Sequence, residues 1–181
     1  SSMLRTGSLS VPSEDERAAM LETTIELLTQ AGYEHYEVSN YAQPGHRCRH
    51  NLLYWTHREY AGFGAGAAAY AGGVRTMNER IPARYIERVE VSGSGVTESE
   101  RPDEQQLLME TLMLRLRLLD GLRLSELDAR FGRGRVRALT PTMQRLQRRG
   151  LLDVTSEGVR LTRAGLMLAD TVLVELAAGL G

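Results

Sequence analysis

One helix-then-strand unit near the start of the chain constrains the fold more than any other feature. Ser13 is placed to cap a helix over residues 13–31, with Glu14, Asp15 and Glu16 at the positive end of its dipole. Met20, Leu21, Ile25, Leu27 and Leu28 recur near helical spacing, and Gly32 stops the run. The alternating, aromatic segment Tyr33–Tyr41 then reads as one strand. A helix leading straight into a strand is the αβ half of a parallel βαβ design, whose strand needs parallel neighbours. The residues before Ser13 supply none, so the unit reads as the terminal portion of an incomplete (β/α) barrel.

Composition narrows the chemistry. With 181 residues the chain can bury a core, and 42% hydrophobic and 25% charged residues suit a soluble globular protein. The formal net charge of −1 provides no global field for nucleic acid or acidic lipid. All 22 basic residues are Arg, a bias of genome or growth temperature more than of function. A single cysteine, Cys48, excludes an internal disulfide framework and fits a reducing compartment. It also excludes a [4Fe–4S] cluster held by this chain, which takes three or four thiolates. No apolar run reaches membrane-spanning length, and the N-terminus lacks the layout of a secretion signal. These readings place the protein in the cytoplasm.

Pro44-Gly45 makes a turn, and the glycine-rich run 62–73 permits close backbone approach. A short helix over Pro82–Val91 and a loop with Gly93 and Gly95 lead to Pro102, where the pattern changes. Helices are expected over 103–119, Ser125–Phe131 and Pro141–Arg149. Two strands follow at 150–154 and 159–162, and a closing helix runs from about Arg163 to Leu176. That order outlines a winged helix. The predicted class is therefore α/β plus mainly α. Residues 1–73 end the barrel, 74–101 connect, and 102–181 form a winged-helix-like C-terminal domain.

Chemistry concentrates in His50-Asn51-x-x-Tyr54-Trp55, preceded by Cys48. Imidazole, phenolate and thiolate all ligate haem iron, and aromatic rings offer flat faces to a porphyrin. If the segment is helical, His50 and Tyr54 share a face. The alternative is a hydrogen-bonded structural histidine beside core aromatics. His35, His46 and His57 show no ligand spacing and read as ordinary polar residues. The glycine run lacks the Lys-Ser/Thr of a P-loop and reads as a packing element, against a strand or a flat ligand. From Arg115 to Arg163 there are 12 Arg and 5 acidic residues. This leaves open a DNA-binding module with Thr140–Arg149 (Thr142, Gln144, Arg145, Gln147, Arg148, Arg149) as its reading helix.

The run Tyr36-Glu37-Val38-Ser39-Asn40-Tyr41-Ala42-x-Pro44-Gly45-x-x-Cys48-x-His50-Asn51-x-x-Tyr54-Trp55 resembles the HemW branch of the oxygen-independent coproporphyrinogen oxidase-like radical-SAM family. Tyr60-x-Gly62-x-Gly64-x-Gly66-Ala67, Arg75, Asn78, Glu110-x-Leu112-Met113-Leu114, Phe131-Gly132, Gly150-Leu151-Leu152 and Leu161-Thr162-x-x-Gly165 extend the resemblance over essentially the whole chain. It implies haem binding and delivery to haem-requiring acceptor proteins. His50 is then the iron ligand, Asn51, Tyr54 and Trp55 complete the haem site, and no residue is catalytic. It also implies S-adenosylmethionine near Ala42 and Met109, and a [4Fe–4S] cluster in full-length members. A homodimer is a further expectation, and a nucleic-acid partner is not. The oxidase branch, which decarboxylates coproporphyrinogen III, is the enzymatic alternative. Ala65-Gly66-Ala67-Ala68-Ala69 departs from the Pro-Gly-Ala-His-Ser common in relatives, which removes a polar contact from that loop.

Overall fold

The structure, a computed structural model, describes residues 12–179. The residues read above as lacking a secretion signal lie outside that range. The described chain divides between Arg47 and Cys48 into two compact units.

The N-terminal unit holds helix α1 (Glu14–Gln30) and two short strands, β1 (Glu34–His35) and β2 (Tyr41–Ala42). Ser13 caps α1 in a reciprocal box: its hydroxyl accepts from the Glu16 N–H, and the Glu16 carboxylate accepts from the Ser13 N–H at 2.8 Å. No α1 residue is fully buried; Met20 and Leu27 are 59% and 62% exposed. The single strand expected over Tyr33–Tyr41 is instead a tight antiparallel hairpin, pairing Glu34 with Ala42 and His35 with Tyr41. The chain reverses between them because Tyr36 and Glu37 turn inward, buried to 2% and 1% exposure, and the Glu37 carboxylate accepts from the Ser39 N–H.

The C-terminal unit opens with α2 (Arg49–Trp55). An antiparallel sheet follows, ordered β3 (Ala68–Ala71), β4 (Val74–Asn78), β5 (Val96–Glu100), with α3 (Pro82–Ser92) between the last two. Sequence periodicity gave no sign of these strands. The β3–β4 turn is Gly72-Gly73, at φ 58° and 73°, the paired left-handed conformation a two-residue hairpin needs. From there the chain runs through α4 (Glu104–Arg115), β6 (Leu122–Arg123), α5 (Leu124–Phe131), α6 (Arg133–Arg148), β7 (Leu152–Val154), β8 (Gly158–Leu161), α7 (Arg163–Met167) and α8 (Ala169–Ala178). Strands β6, β8 and β7 form a second antiparallel sheet.

Three expected boundaries move. Helix α4 stops at Arg115 rather than residue 119, after an Asp103–Gln106 capping box sets its start. Helix α6 begins eight residues before Pro141, which sits inside it rather than at its first position. The cost of that proline is offset by burial of Val136, Leu139, Thr142, Met143 and Leu146 on one face. The closing helix breaks at Leu168. Gly165 allows α7 to press on β7's approach: a Cβ there would run into the Leu151 carbonyl. Leu108, Leu112, Leu139, Leu146 and Val172, all at 0% exposure, centre the core among α4, α6 and α8.

Candidate functional site

Helix α2 orders the segment that the sequence singles out. His50 and Tyr54 lie one turn apart on the same face, with Tyr54 Oη 3.1 Å from His50 Nε2 and the rings edge to face at 4.9 Å. The imidazole is exposed, not sealed in the core. Asn51 and Trp55 fall on a different face of the helix. Trp55 is half-buried, with the Arg117 guanidinium 5.7 Å from its ring centroid and its indole N–H buried without a hydrogen-bond partner. The expected four-residue cluster thus separates into a His50–Tyr54 pair and a Trp55 that lines neither hollow beside α2.

The first hollow, about 510 Å³, is lined by His50 with Arg49, Leu52, Leu53, Thr56 and Arg58. Leucine side chains give it apolar wall, and two arginines give it positive charge. The second, about 250 Å³, is bounded by Tyr54, Tyr60, Tyr70, His57, Arg75 and Glu110 among others. Backbone bonds of 2.9 Å in both directions between Tyr60 and Tyr70 fix its aromatic wall. Tyr54 and Tyr60 meet at 4.5 Å between centroids, and His57 and Tyr70 at 5.0 Å.

His57 is the residue the sequence reading missed. Its side chain is 4% exposed, its Nε2 lies 4.0 Å from Glu110, and its Nδ1 is buried with no hydrogen-bond partner. Its backbone φ of 51° is left-handed, a strained conformation for a non-glycine residue. Burial and the nearby Arg130 charge hold the imidazole below its usual pKa, so it is neutral near pH 7. Arg75, paired with Glu110 at 2.5 Å, prevents that carboxylate from reversing the effect. No local signal marked it, because α2 ends at Trp55 and the groups that bury His57 come from elsewhere in the chain. Asn78 is buried and donates to the Gly64 carbonyl at 2.9 Å, tying down the glycine loop.

Ala42 lies in β2 at 8% exposure, within the N-terminal unit. Met109, in the other unit, packs on the core and borders a hollow with Asp103, Gln105, Gln106 and Glu110. A lone exposed imidazole beside apolar wall and cationic rim fits haem, which takes one protein nitrogen and carries carboxylates. An iron–sulfur cluster does not fit. There is one cysteine in the sequence, and no group of three metal-capable side chains occurs among the described residues.

Residues 103–168 match the HemN C-terminal domain. The fold resembles coproporphyrinogen III oxidase (HemN) from Escherichia coli at a TM-score of 0.73, over 92% of this chain and 42% of that one, at 18% identity. Fold and domain thus define a HemN-like chain. In sequence it is 36% identical over 94% of its length to the haem chaperone HemW of Mycobacterium tuberculosis strain H37Rv, covering 42% of it. It is 29% identical over the same share to the Bacillus subtilis haem chaperone HemW, covering 45%. The chain is similar to these HemW-type proteins over 94% of its own length and spans under half of theirs. No helix among the described residues is long and apolar enough to cross a membrane.

Proposed function

We propose that the chain binds haem through His50 and serves haem delivery as part of a longer radical-SAM protein. One observation carries this reading: an exposed imidazole, oriented by a phenol at 3.1 Å, at the edge of a hollow with leucine wall and arginine rim. Metal-ligating histidines commonly donate their second N–H to an orienting group. Tyr54 Oη is placed to accept from Nε2–H, which leaves Nδ1 for iron. Arg49 and Arg58 would meet porphyrin carboxylates, and Leu52 and Leu53 the ring. Trp55, on another face of α2, lies against the Arg117 guanidinium. Haem supplies the bound iron; the protein supplies a nitrogen, a wall and positive charge. Titration with hemin should give a saturable Soret shift that His50→Ala abolishes and Tyr54→Phe weakens. An unchanged spectrum and affinity in His50→Ala would overturn the assignment.

Residues 102–181 are read as a winged-helix-like packing module rather than a nucleic-acid reader. On the expected reading helix Thr142 is buried, Arg145 and Arg149 both pair with Glu175, and Gln147 donates to the Val154 carbonyl. Side chains so engaged are not free to read bases. A salt-sensitive mobility shift with duplex DNA would argue the opposite.

A further inference from the structure

Thr56, just past α2, also borders a small recess of about 200 Å³ lined from α4, β6 and α5. Leu122, Leu127 and Phe131 give it an apolar, buried floor. Three arginines line it, Arg115, Arg123 and Arg130, against one acidic residue, Glu126. Arg115 is paired with Glu126 at 3.0 Å. Arg123 and Arg130 have no acidic partner among the described residues; Arg130 lies over the Phe131 ring at 5.1 Å. Thr111, 7% exposed, lines the same recess, and its hydroxyl is buried with no hydrogen-bond partner. A buried unsatisfied hydroxyl costs stability, and native proteins rarely keep one without a ligand or water to meet it.

We propose that this recess binds a single oxyanion group, carboxylate or phosphate, between the Thr111 hydroxyl and the guanidinium groups of Arg123 and Arg130. The hydroxyl donates to one oxygen, and the planar guanidinium forks match the others. Arg123 and Arg130 are solvent-exposed at the rim, so their pull on an anion is screened by salt and the buried hydroxyl adds the directional contact. A recess of about 200 Å³ accommodates one such group. Because Thr56 borders both this recess and the His50 hollow, the group has two sources. It is either a free small anion or, resting on the haem reading above, a porphyrin carboxylate.

Inorganic phosphate, titrated into the chain at constant ionic strength and followed by NMR, should shift the Thr111 methyl resonance saturably, while chloride should not. Thr111→Val, isosteric and expected to raise Tm by removing the orphan hydroxyl, should weaken binding about fivefold or more. The exposed pair Arg123→Gln/Arg130→Gln should abolish it. Phosphate screening of Arg130 should also raise the His57 pKa, a change that a purely structural role for these residues would not produce. Hemin and its dimethyl ester separate the sources. An affinity gap that closes in the arginine double variant assigns a porphyrin carboxylate; phosphate binding without a gap assigns a free anion. His50→Ala should leave the phosphate titration intact, so the haem reading and this one fail separately. Absence of both a saturable phosphate shift and an ester gap, or equal phosphate affinity in Thr111→Val, would overturn the proposal.

Discussion

The leucine core of α4, α6 and α8 and the aromatic segment from α2 to β5 use apolar residues in opposite ways. In the core, Leu108, Leu112, Leu139, Leu146 and Val172 reach 0% exposure. Between residues 48 and 100, the largest buried side chain is Tyr70, at 8%, and Tyr54, Trp55 and Tyr60 stop at half-burial. Core residues have already spent their surface on folding. The aromatic segment retains flat, partly wet surface with polar ends, the kind that binding draws on. Stability and recognition are thus separated along the chain.

The sharpest way to break that contrast is to truncate on both sides of it. Leu139→Ala should lower the unfolding free energy by about 2–5 kcal/mol in urea titration, whereas Tyr54→Phe should cost well under that and act on ligand binding instead. Equal losses would erase the distinction. His57, whose side chain is 4% exposed, gives the next effect. Its folded pKa lies below the unfolded value, so below about pH 6.5 the unfolded chain takes up a proton that the folded chain refuses. Stability should therefore fall with pH from that point, by up to about 1 kcal/mol per unit, until the folded pKa is passed. Differential scanning at stepped pH should show this slope in the parent and not in His57→Gln.

The two reciprocal helix caps then compare like devices in unlike settings. Asp103→Ala, on core helix α4, should cost about 1 kcal/mol of global stability. Ser13→Ala, on a helix with no buried residue, should show mainly as faster amide exchange within α1. The smallest effect is expected at Glu175, whose carboxylate pKa is held down chiefly by its hydrogen bond to Arg149. That contribution is present near neutrality and is lost as pH falls through the depressed value. Glu175→Gln should shift Tm slightly in low salt and not at all in 1 M salt.

What sequence conveyed tracks the strength of local signals. The Ser13 cap, the Pro44-Gly45 turn and the Leu-rich helices announce themselves within a few residues, and so did the hairpin β7–β8, whereas the Asp103 cap emerged only in the structure. Strands β3 to β5 were hidden because alanine and exposed acidic residues, as in Ala68–Ala71 and Val96–Glu100, carry no alternating apolar pattern. Pro141 suggested a helix start by its usual preference, and tertiary burial overrode it. At the site, the His50–Tyr54 pairing was legible from spacing. Trp55's divergence follows from the same helical geometry, since neighbours one residue apart cannot share a face. His57 was invisible as a buried group because its environment comes from Tyr70, Arg75 and Glu110, remote in sequence.

Helix α4 belongs to both halves of this division. Leu108 and Leu112 point into the core, while Glu110, Met113 and Leu114 line the aromatic cleft. A rod clamped along one side offers little give on the other, so the cleft inherits its shape from residues that never touch its contents. Occupancy and melting are then two readings of one equilibrium: a molecule held against Glu110 should tighten amides deep among the leucines, in proportion to the logarithm of its concentration.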